Sequence, residues 1–182
     1  MTRTIIPTRD SAQEEARPAL DLIFKKMGFV PNVLRLTSLS LNILEALEEV
    51  KQSLNDSFDD KVRALVALVV SEENSCLYCL ATHTYIGINF GKIHPTDLLL
   101  ARLGMSNDPK MEALGRFIKK VVTTRGHVAE LELTRIREVG FTNKDILTVI
   151  GLIAQYTFFN YVNNVFDTKI DFPKVEVFRS FN

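Results

Sequence analysis

Residues 62–70 have the sequence Val62-Arg63-Ala64-Leu65-Val66-Ala67-Leu68-Val69-Val70, which is apolar on nearly every side. Its composition alone would also fit a buried strand, but its length and the helical patterns on both sides of it favour a helix. Asp59 and Asp60 precede it, and carboxylates stabilise the N-terminal end of a helix. A helix that is apolar all round is normally buried, so we expect this one at the centre of the fold.

Helical spacing of apolar residues continues through most of the chain, and the alternation typical of strands is nearly absent. The predicted helices cover residues 11–27, 40–54, 62–70, 75–89, 94–104, 109–124, 128–139 and 146–166, and Pro18 is an alternative first turn for the first of them. On the second helix we expect the buried side to consist of Leu41, Ile43, Leu44, Leu47 and Val50. The pattern predicts an all-α fold of seven or eight helices in a single domain, residues 1–182. Residues 1–37 would form an N-terminal helical extension, and residues 172–182 a C-terminal tail.

Composition restricts the class of partner. At 182 residues with 46% hydrophobic content, the chain is long enough to bury a core. Lys and Arg number 22 and so do Asp and Glu, with no basic run, so nothing favours nucleic acid or an anionic membrane as partner. The first residues lack the apolar segment of a signal peptide, and no window approaches the roughly 20 apolar residues that span a bilayer. We therefore expect a soluble cytoplasmic protein.

The chain has two cysteines, Cys76 and Cys79, and His83 follows four positions after the second. On a helix that turns about 100° per residue, the three side chains fall within a stripe of about 60° and face one cavity. Cα atoms three residues apart on a helix are roughly 5 Å apart, within the range that a disulfide spans. Free N–H groups in the first turn would stabilise a Cys76 thiolate, and His83 could exchange a proton with Cys79. The pattern predicts sulfur redox chemistry, because such surroundings lower a thiol pKa from about 8.5 to about 3.5–7.5.

Two other interpretations of these residues remain. Small buried cysteines occur in many protein cores without any reactivity. Alternatively, Cys76, Cys79 and His83 could supply three zinc ligands, with His94 or His127 as a fourth. Three ligands on one helical stripe are poor tetrahedral geometry, so we expect no metal and interpret His94 and His127 as polar loop or cap residues. The polar face of the last predicted helix, which we expect to meet solvent or another subunit, consists of Asn160, Asn163, Asn164 and Asp167.

The cysteine segment has the pattern Ser71-x-x-Asn74-x-Cys76-x-Tyr78-Cys79-x-x-x-His83, with Gly140-Phe141-Thr142-Asn143-Lys144-Asp145-Ile146-Leu147 far downstream. Together with the preceding apolar helix, this pattern resembles the alkylhydroperoxidase D-like, carboxymuconolactone decarboxylase superfamily, and more narrowly its peroxidase-related branch. Residues 29–32, Phe-Val-Pro-Asn, and residues 158–163, Phe-Phe-Asn-Tyr-Val-Asn, are also similar to that branch. The resemblance therefore covers nearly the whole chain.

The resemblance implies an all-helical domain that reduces hydroperoxides with thiol electrons and uses no metal or organic cofactor. By that resemblance Cys79 attacks the peroxide and becomes a sulfenic acid, and Cys76 resolves it as a disulfide. His83 belongs to the proton relay. The electron donor is a dithiol, of the dihydrolipoyl type or another kind. We also expect a homo-oligomer, trimeric or hexameric by resemblance, because apolar residues such as Ile150 to Phe159 exceed what a monomer need bury.

One position departs from the family pattern. The family's relay usually includes a glutamate twelve positions before the first cysteine, and here that position is Ala64. Glu72, Glu73 and Tyr78 are the possible substitutes, although we expect Glu72 and Glu73 to be exposed charges at a helix end. The sequence thus predicts a peroxidase-like oxidoreductase of weak activity. The alternatives are a non-enzymatic redox sensor or adaptor, or a structural oligomer with a vestigial site.

Overall fold

The protein is described here by a computed structural model that covers residues 2–55, 57–175 and 178. A 3₁₀ helix at Glu14–Ala16 precedes the α-helices of the described residues, which are α1 (Arg17–Met27), α2 (Asn32–Thr37), α3 (Leu41–Asn55), α4 (Asp60–Glu73), α5 (Leu77–Asn89), α6 (Pro95–Arg102), α7 (Pro109–Thr123), α8 (Glu130–Glu138) and α9 (Asn143–Phe166). No strand occurs within those residues. The predicted all-α class is confirmed; eight helices have seven residues or more, and the short α2 is additional.

Helix ends are set by side chains that bond to free backbone groups. Asp59 caps α4 by accepting a hydrogen bond from the Val62 amide. At the start of α9 the Thr142 hydroxyl accepts from the Asp145 amide at 3.2 Å, and the Asp145 carboxylate accepts from the Thr142 amide at 2.8 Å. This reciprocal capping box satisfies two backbone donors that a helix start otherwise leaves free. The long helix therefore begins at a fixed point, which sets the register of its far end.

The centre of the fold is α4. Every residue from Leu65 to Glu72 is buried, and α5, α6, α7 and α9 pack around the helix. The prediction of a central helix is therefore confirmed. Because α5 follows α4 after a short turn and α9 lies against both, side chains from these three helices meet in one region.

Three local predictions need correction. The first α-helix begins at Arg17 instead of Ser11, with Pro18 in its first turn, where a missing N–H leaves no partner unsatisfied. Residues 28–39, which no predicted helix covers, contain α2. On α3 the side chains of Ile43 and Val50 are exposed in the protomer, whereas Leu44 is buried as predicted.

The expectation that no window approaches a membrane span was wrong for one of the described helices, since α9 is long and apolar enough to cross a membrane by length and composition. It is nevertheless a core helix of this fold, since it packs against α3, α4 and α5 and buries Leu152 and Ile153. In the predicted C-terminal tail, Phe172 packs edge-on against Phe29 and Tyr78. Residues 176–177 and 179–182 of that tail lie outside the described residues.

Candidate active site

Cys76 occupies the N-cap of α5. The chain leaves α4 through Ser75, which has a left-handed φ of 58°, and the Cys76 amide then donates to the Ser71 carbonyl at 2.9 Å. Cys76 itself is extended, and its Sγ accepts a hydrogen bond from the Cys79 amide at 3.2 Å. The prediction that the helix starts at Ser75 was early by two residues. The thiol nevertheless lies at the helix start, where free N–H groups favour negative charge.

A cavity of about 310 Å³ lies beside the start of α5. Cys79, His83 and Tyr78 from α5 line it, together with Ala64 of α4, whereas Cys76 does not. Most of the remaining wall is apolar and comes from Met27, Pro31, Val33, Leu34, Ile86, Ile93 and Phe159. Charged side chains also reach the cavity, and these are Glu48, Lys51, Asp60 and Arg63. Of the two thiols, only that of Cys79 borders the space in which a small molecule would react.

Polar side chains of α9 and α4 surround the Cys79 thiol. Asn163 donates from Nδ2 to Cys79 Sγ at 3.3 Å, and Asn160 donates from Nδ2 to the Ser71 hydroxyl at 3.2 Å. Burial raises the pKa of the Cys79 thiol, but hydrogen bonds from Cys76, Asn163, Asn160 and Ser71 outweigh burial, so the net direction is downward. These groups therefore favour the thiolate, which is the nucleophilic form of cysteine.

The two other titratable groups of the predicted site shift in opposite senses. Burial raises the pKa of the Cys76 thiol, and its hydrogen bond to Cys79 raises it further, so Cys76 stays protonated. The expectation that the helix start stabilises a Cys76 thiolate was therefore wrong. Burial alone lowers the pKa of His83 to about 4, and its ring packs edge-on against Tyr156 at 5.0 Å between centroids. At neutral pH the imidazole is therefore uncharged and can accept a proton. Of the two cysteines, Cys79 is thus disposed to ionise and Cys76 remains neutral.

The three possible relay substitutes have other partners. Glu72 is 1% exposed and accepts from Arg102 Nε at 2.9 Å, and Glu73 pairs with Lys119 at 3.2 Å. Neither carboxylate lines the cavity. Both side chains are buried, so the expectation of exposed helix-end charges was wrong.

Tyr78 does line the cavity, but its hydroxyl is engaged in structural bonds. It donates to Asp171 Oδ1 at 2.7 Å and accepts from the Val33 amide at 3.1 Å. Burial raises the pKa of Tyr78. The hydroxyl therefore fastens α5 to α2 and to the segment after α9.

The histidines considered as a fourth metal ligand lie elsewhere. His94 is exposed and caps α6 by accepting from the Thr96 amide at 3.3 Å, as predicted, and His127 is exposed. Neither lines the cavity. Among the described residues, no three His, Cys, Asp or Glu side chains are grouped so as to hold a metal ion.

The polar face of α9 is the part of the site that the sequence interpretation missed. Asn160 and Asn163 are buried beside the cysteines, so the expectation of a solvated or interface face was wrong for these two. Their spacing of three residues, which places both on one side of a helix, was the available signal. The side of α9 on which solvent lies depends on tertiary packing, which the helical period does not reveal.

The comparisons with known proteins agree with this geometry. The model of the carboxymuconolactone decarboxylase family matches residues 42–92, a segment that contains α4, α5 and both cysteines. Among solved structures, an alkylhydroperoxidase AhpD core described as an uncharacterized peroxidase-related protein from Ralstonia eutropha JMP134 has a TM-score of 0.83. It is 23% identical, and the match covers 93% of this chain and 92% of that chain.

Two further structures share the fold. An uncharacterized peroxidase-related protein from Silicibacter sp. TM1040 has a TM-score of 0.80 at 21% identity, covering 92% of this chain and 91% of that chain. A variant of the debrominase Bmp8 in complex with 2,3,4-tribromopyrrole has a TM-score of 0.77 at 15% identity, covering 94% and 92% of the two chains. At these identities the likenesses show the fold alone. No curated protein matches this chain.

The fold and the site define an all-helical protein with a cysteine pair at the start of a helix and one thiol at a cavity. Residues 42–92 match the model of the carboxymuconolactone decarboxylase family, and the chain shares its fold with solved structures described as an alkylhydroperoxidase AhpD core and a peroxidase-related protein. These findings support the resemblance seen in the sequence.

Proposed function

We propose that this protein is a thiol-dependent oxidoreductase that reduces hydroperoxides, with Cys79 as the nucleophile and Cys76 as the resolving thiol. The observation that carries the proposal is the position of Cys79, whose thiol lines a largely apolar cavity and receives a hydrogen bond from Asn163. A buried thiol of a purely structural core would have neither the cavity nor the donors that lower its pKa.

The proposed reaction uses groups that the cavity brings together. His83 accepts the Cys79 proton, and the thiolate then attacks the hydroxyl oxygen of the hydroperoxide. An S–O bond forms, the O–O bond breaks, and the departing alkoxide takes the proton back from the His83 imidazolium and leaves as an alcohol. Cys79 is thereby oxidised to a sulfenic acid.

Cys76 completes the cycle in this proposal. Its Sγ already lies 3.2 Å from the Cys79 amide nitrogen, at the start of the same helix. Attack of Cys76 on the sulfenic sulfur forms the disulfide and releases water. A small dithiol, of the dihydrolipoyl type or another kind, then reduces the disulfide and is itself oxidised. Because Cys76 does not line the cavity, the donor reaches the disulfide through the Cys79 sulfur.

The test is a stopped-flow measurement of thiol loss from the reduced protein against the concentration of cumene hydroperoxide. We expect a second-order reaction, a loss of two hydrogens in intact mass, and no disulfide in Cys79→Ser. Cys76→Ser should instead accumulate a sulfenic acid that dimedone traps. Oxidised protein that keeps two free thiols would contradict the proposal.

Catalytic turnover separates an enzyme from a redox sensor or adaptor. With dithiothreitol or dihydrolipoamide as donor, an enzyme consumes many equivalents of hydroperoxide per chain. A sensor consumes one equivalent and changes its assembly or its partner binding instead. Consumption that stops at one equivalent with either donor would favour the sensor.

A further inference from the structure

The two ends of the Asn163 side-chain amide have different surroundings. Nδ2 donates to Cys79 Sγ, whereas Oδ1 is buried and accepts no hydrogen bond from any residue that the structure describes. The residue is 4% exposed. A buried amide oxygen without a donor is energetically costly, so such a group requires an explanation.

The neighbouring asparagines of α9 show that this feature is specific to Asn163. Asn160 uses both ends of its amide, since its Oδ1 accepts from Asn74 at 3.0 Å and its Nδ2 donates to Ser71. Asn164 donates to the Asn74 carbonyl at 2.8 Å. Asn163 alone among the three lines the cavity that Cys79 also lines, and Oδ1 is the end of its amide that has no hydrogen-bond donor among the described residues.

A hydroperoxide has one polar hydrogen, and it is on the oxygen that a thiolate attacks. An acceptor next to the attacking sulfur would hold that oxygen in line for reaction, because positioning of reacting atoms lowers the barrier. We propose that Asn163 Oδ1 is the binding site for the hydroxyl group of the hydroperoxide, while Asn163 Nδ2 holds the Cys79 sulfur. This inference rests on the proposed function.

The hydrogen bond persists through the chemical step. When the S–O bond forms and the O–O bond breaks, the hydrogen stays on the transferred oxygen, so the Cys79 sulfenic acid can still donate to Asn163 Oδ1. The alkoxide leaves on the opposite side and takes its proton from His83. The hydroperoxide is the only oxidant required, and the amide neither gains nor loses a proton.

The inference predicts selectivity for electrophiles that carry an O–H group. Iodoacetamide reacts with the same thiolate but has no hydroxyl hydrogen to donate. The experiment therefore measures two rate constants for each variant, one with cumene hydroperoxide and one with iodoacetamide. Each is divided by the thiolate fraction taken from the pH profile of alkylation. The ratio of the corrected constants then reports the contact with the hydroxyl and not the thiol pKa.

Asn163→Leu removes both ends of the amide at similar size, and we expect this ratio to fall about tenfold or more, as loss of one buried hydrogen bond implies. Asn163→Ala makes the same deletion without a bulky side chain and should give the same result if the leucine variant does not fold. Asn163→Asp keeps an acceptor but loses the donor. It should raise the Cys79 pKa yet keep the ratio within about threefold of wild type. Asn164→Leu, on the same helix, should leave the ratio unchanged.

The outcomes distinguish the two proposals. A wild type that reacts with iodoacetamide but not with cumene hydroperoxide overturns the proposed function, and with it this inference. A wild type that reacts with both, together with deletion variants that keep the ratio, overturns the inference alone. An Asn163→Asp variant whose ratio falls as far as that of Asn163→Leu would also overturn it, because the acceptor would then have no effect.

Discussion

The His83 imidazole couples the site to the acid stability of the protein. Its folded-state pKa of about 4 lies below the usual value of 6.5. Between these two values the unfolded chain therefore binds a proton that the folded chain does not, and this stabilisation is lost as the pH falls through that window. We expect wild type to lose about 1–2 kcal/mol more unfolding free energy than His83→Gln between pH 7 and pH 5. Urea titrations at the two pH values measure the difference.

The exposed His127 provides the control. The His127→Gln variant removes an imidazole that is exposed in the folded state and shows what loss of a histidine outside the site does to the same measurement. Parallel pH dependence for wild type and His83→Gln would contradict the lowered pKa of His83.

Ala64 is the position where the family pattern has a glutamate, and the structure places it in the cavity wall with Cys79 and His83. A carboxylate there would stabilise the imidazolium that forms during the reaction. Groups in general acid–base catalysis contribute roughly 10²–10⁴-fold, so we expect Ala64→Glu to react with hydroperoxide at least about tenfold faster than wild type. Thiol loss in stopped flow is the measurement.

Ala64→Gln has the same size without the charge and separates electrostatics from filling of the cavity. A carboxylate without a partner would also destabilise the fold, so thermal unfolding should be followed for both variants. Equal rates for the glutamate and glutamine variants would show that the carboxylate plays no part in proton transfer in this cavity.

At the scale of elements, two helical glycines differ in the space available for a side chain. A Cβ at Gly115 of α7 would lie 2.5 Å from the Gly104 carbonyl oxygen, whereas a Cβ at Gly151 of α9 would meet Leu54 at 3.5 Å, an ordinary contact. Gly115→Ala should therefore destabilise the protein by about 1–3 kcal/mol, because backbone has to move. Gly151→Ala should be neutral or stabilise by up to about 1 kcal/mol through helix propensity. Chemical denaturation of both variants measures the two changes in the free energy of unfolding. Equal changes would contradict the close approach of α7 to the turn after α6.

Helix ends and motifs that depend on neighbouring residues could be predicted from the sequence. Contacts between residues far apart in the chain could not. The capping box at Thr142 fixes the start of α9 through neighbouring residues, and the predicted span of 146–166 ends at the observed residue but starts three residues late. Cys79 and His83 are close in sequence, and their shared face follows from the helical period. The expectation that Cys76 faces the same cavity was wrong, because Cys76 is the extended N-cap residue before the helix and does not line the cavity. Asn163 reaches Cys79 across 84 positions, and no local pattern encodes which helix packs against α5.

For the whole molecule, the exposed apolar residues indicate self-association. The run from Ile150 to Phe159, expected to face another subunit, has three buried, five half-buried and two exposed residues in the protomer. Leu147 of α9 is nevertheless 70% exposed, and Val50 of the neighbouring α3 is 43% exposed. Exposed apolar faces on packed helices are typical of interfaces between copies of a chain. We expect a symmetric homo-oligomer, and the family resemblance implies a trimer or hexamer.

Light scattering at micromolar concentration measures the mass of the assembly. Leu147→Glu should reduce that mass, since a carboxylate would be desolvated at the interface, while the exposed position leaves the protomer folded. Leu99→Glu changes an apolar residue of α6 that is 46% exposed and serves as the matched control. A wild-type monomer, or equal dissociation by both variants, would contradict an interface at α3 and α9.

Cys76 is both the cap of α5 and one half of the cysteine pair. The sulfur that receives the Cys79 amide in the reduced protein is the same sulfur that would enter a disulfide. A disulfide bond at Cys76 Sγ would weaken that sulfur as the acceptor for the Cys79 amide. Oxidation of Cys76 and fraying of the first turn of α5 are therefore thermodynamically linked. The reduced form keeps the cap and the stabilised thiolate, and this makes the disulfide form the more oxidising partner in exchange. The disulfide form would therefore accept electrons readily from its reductant.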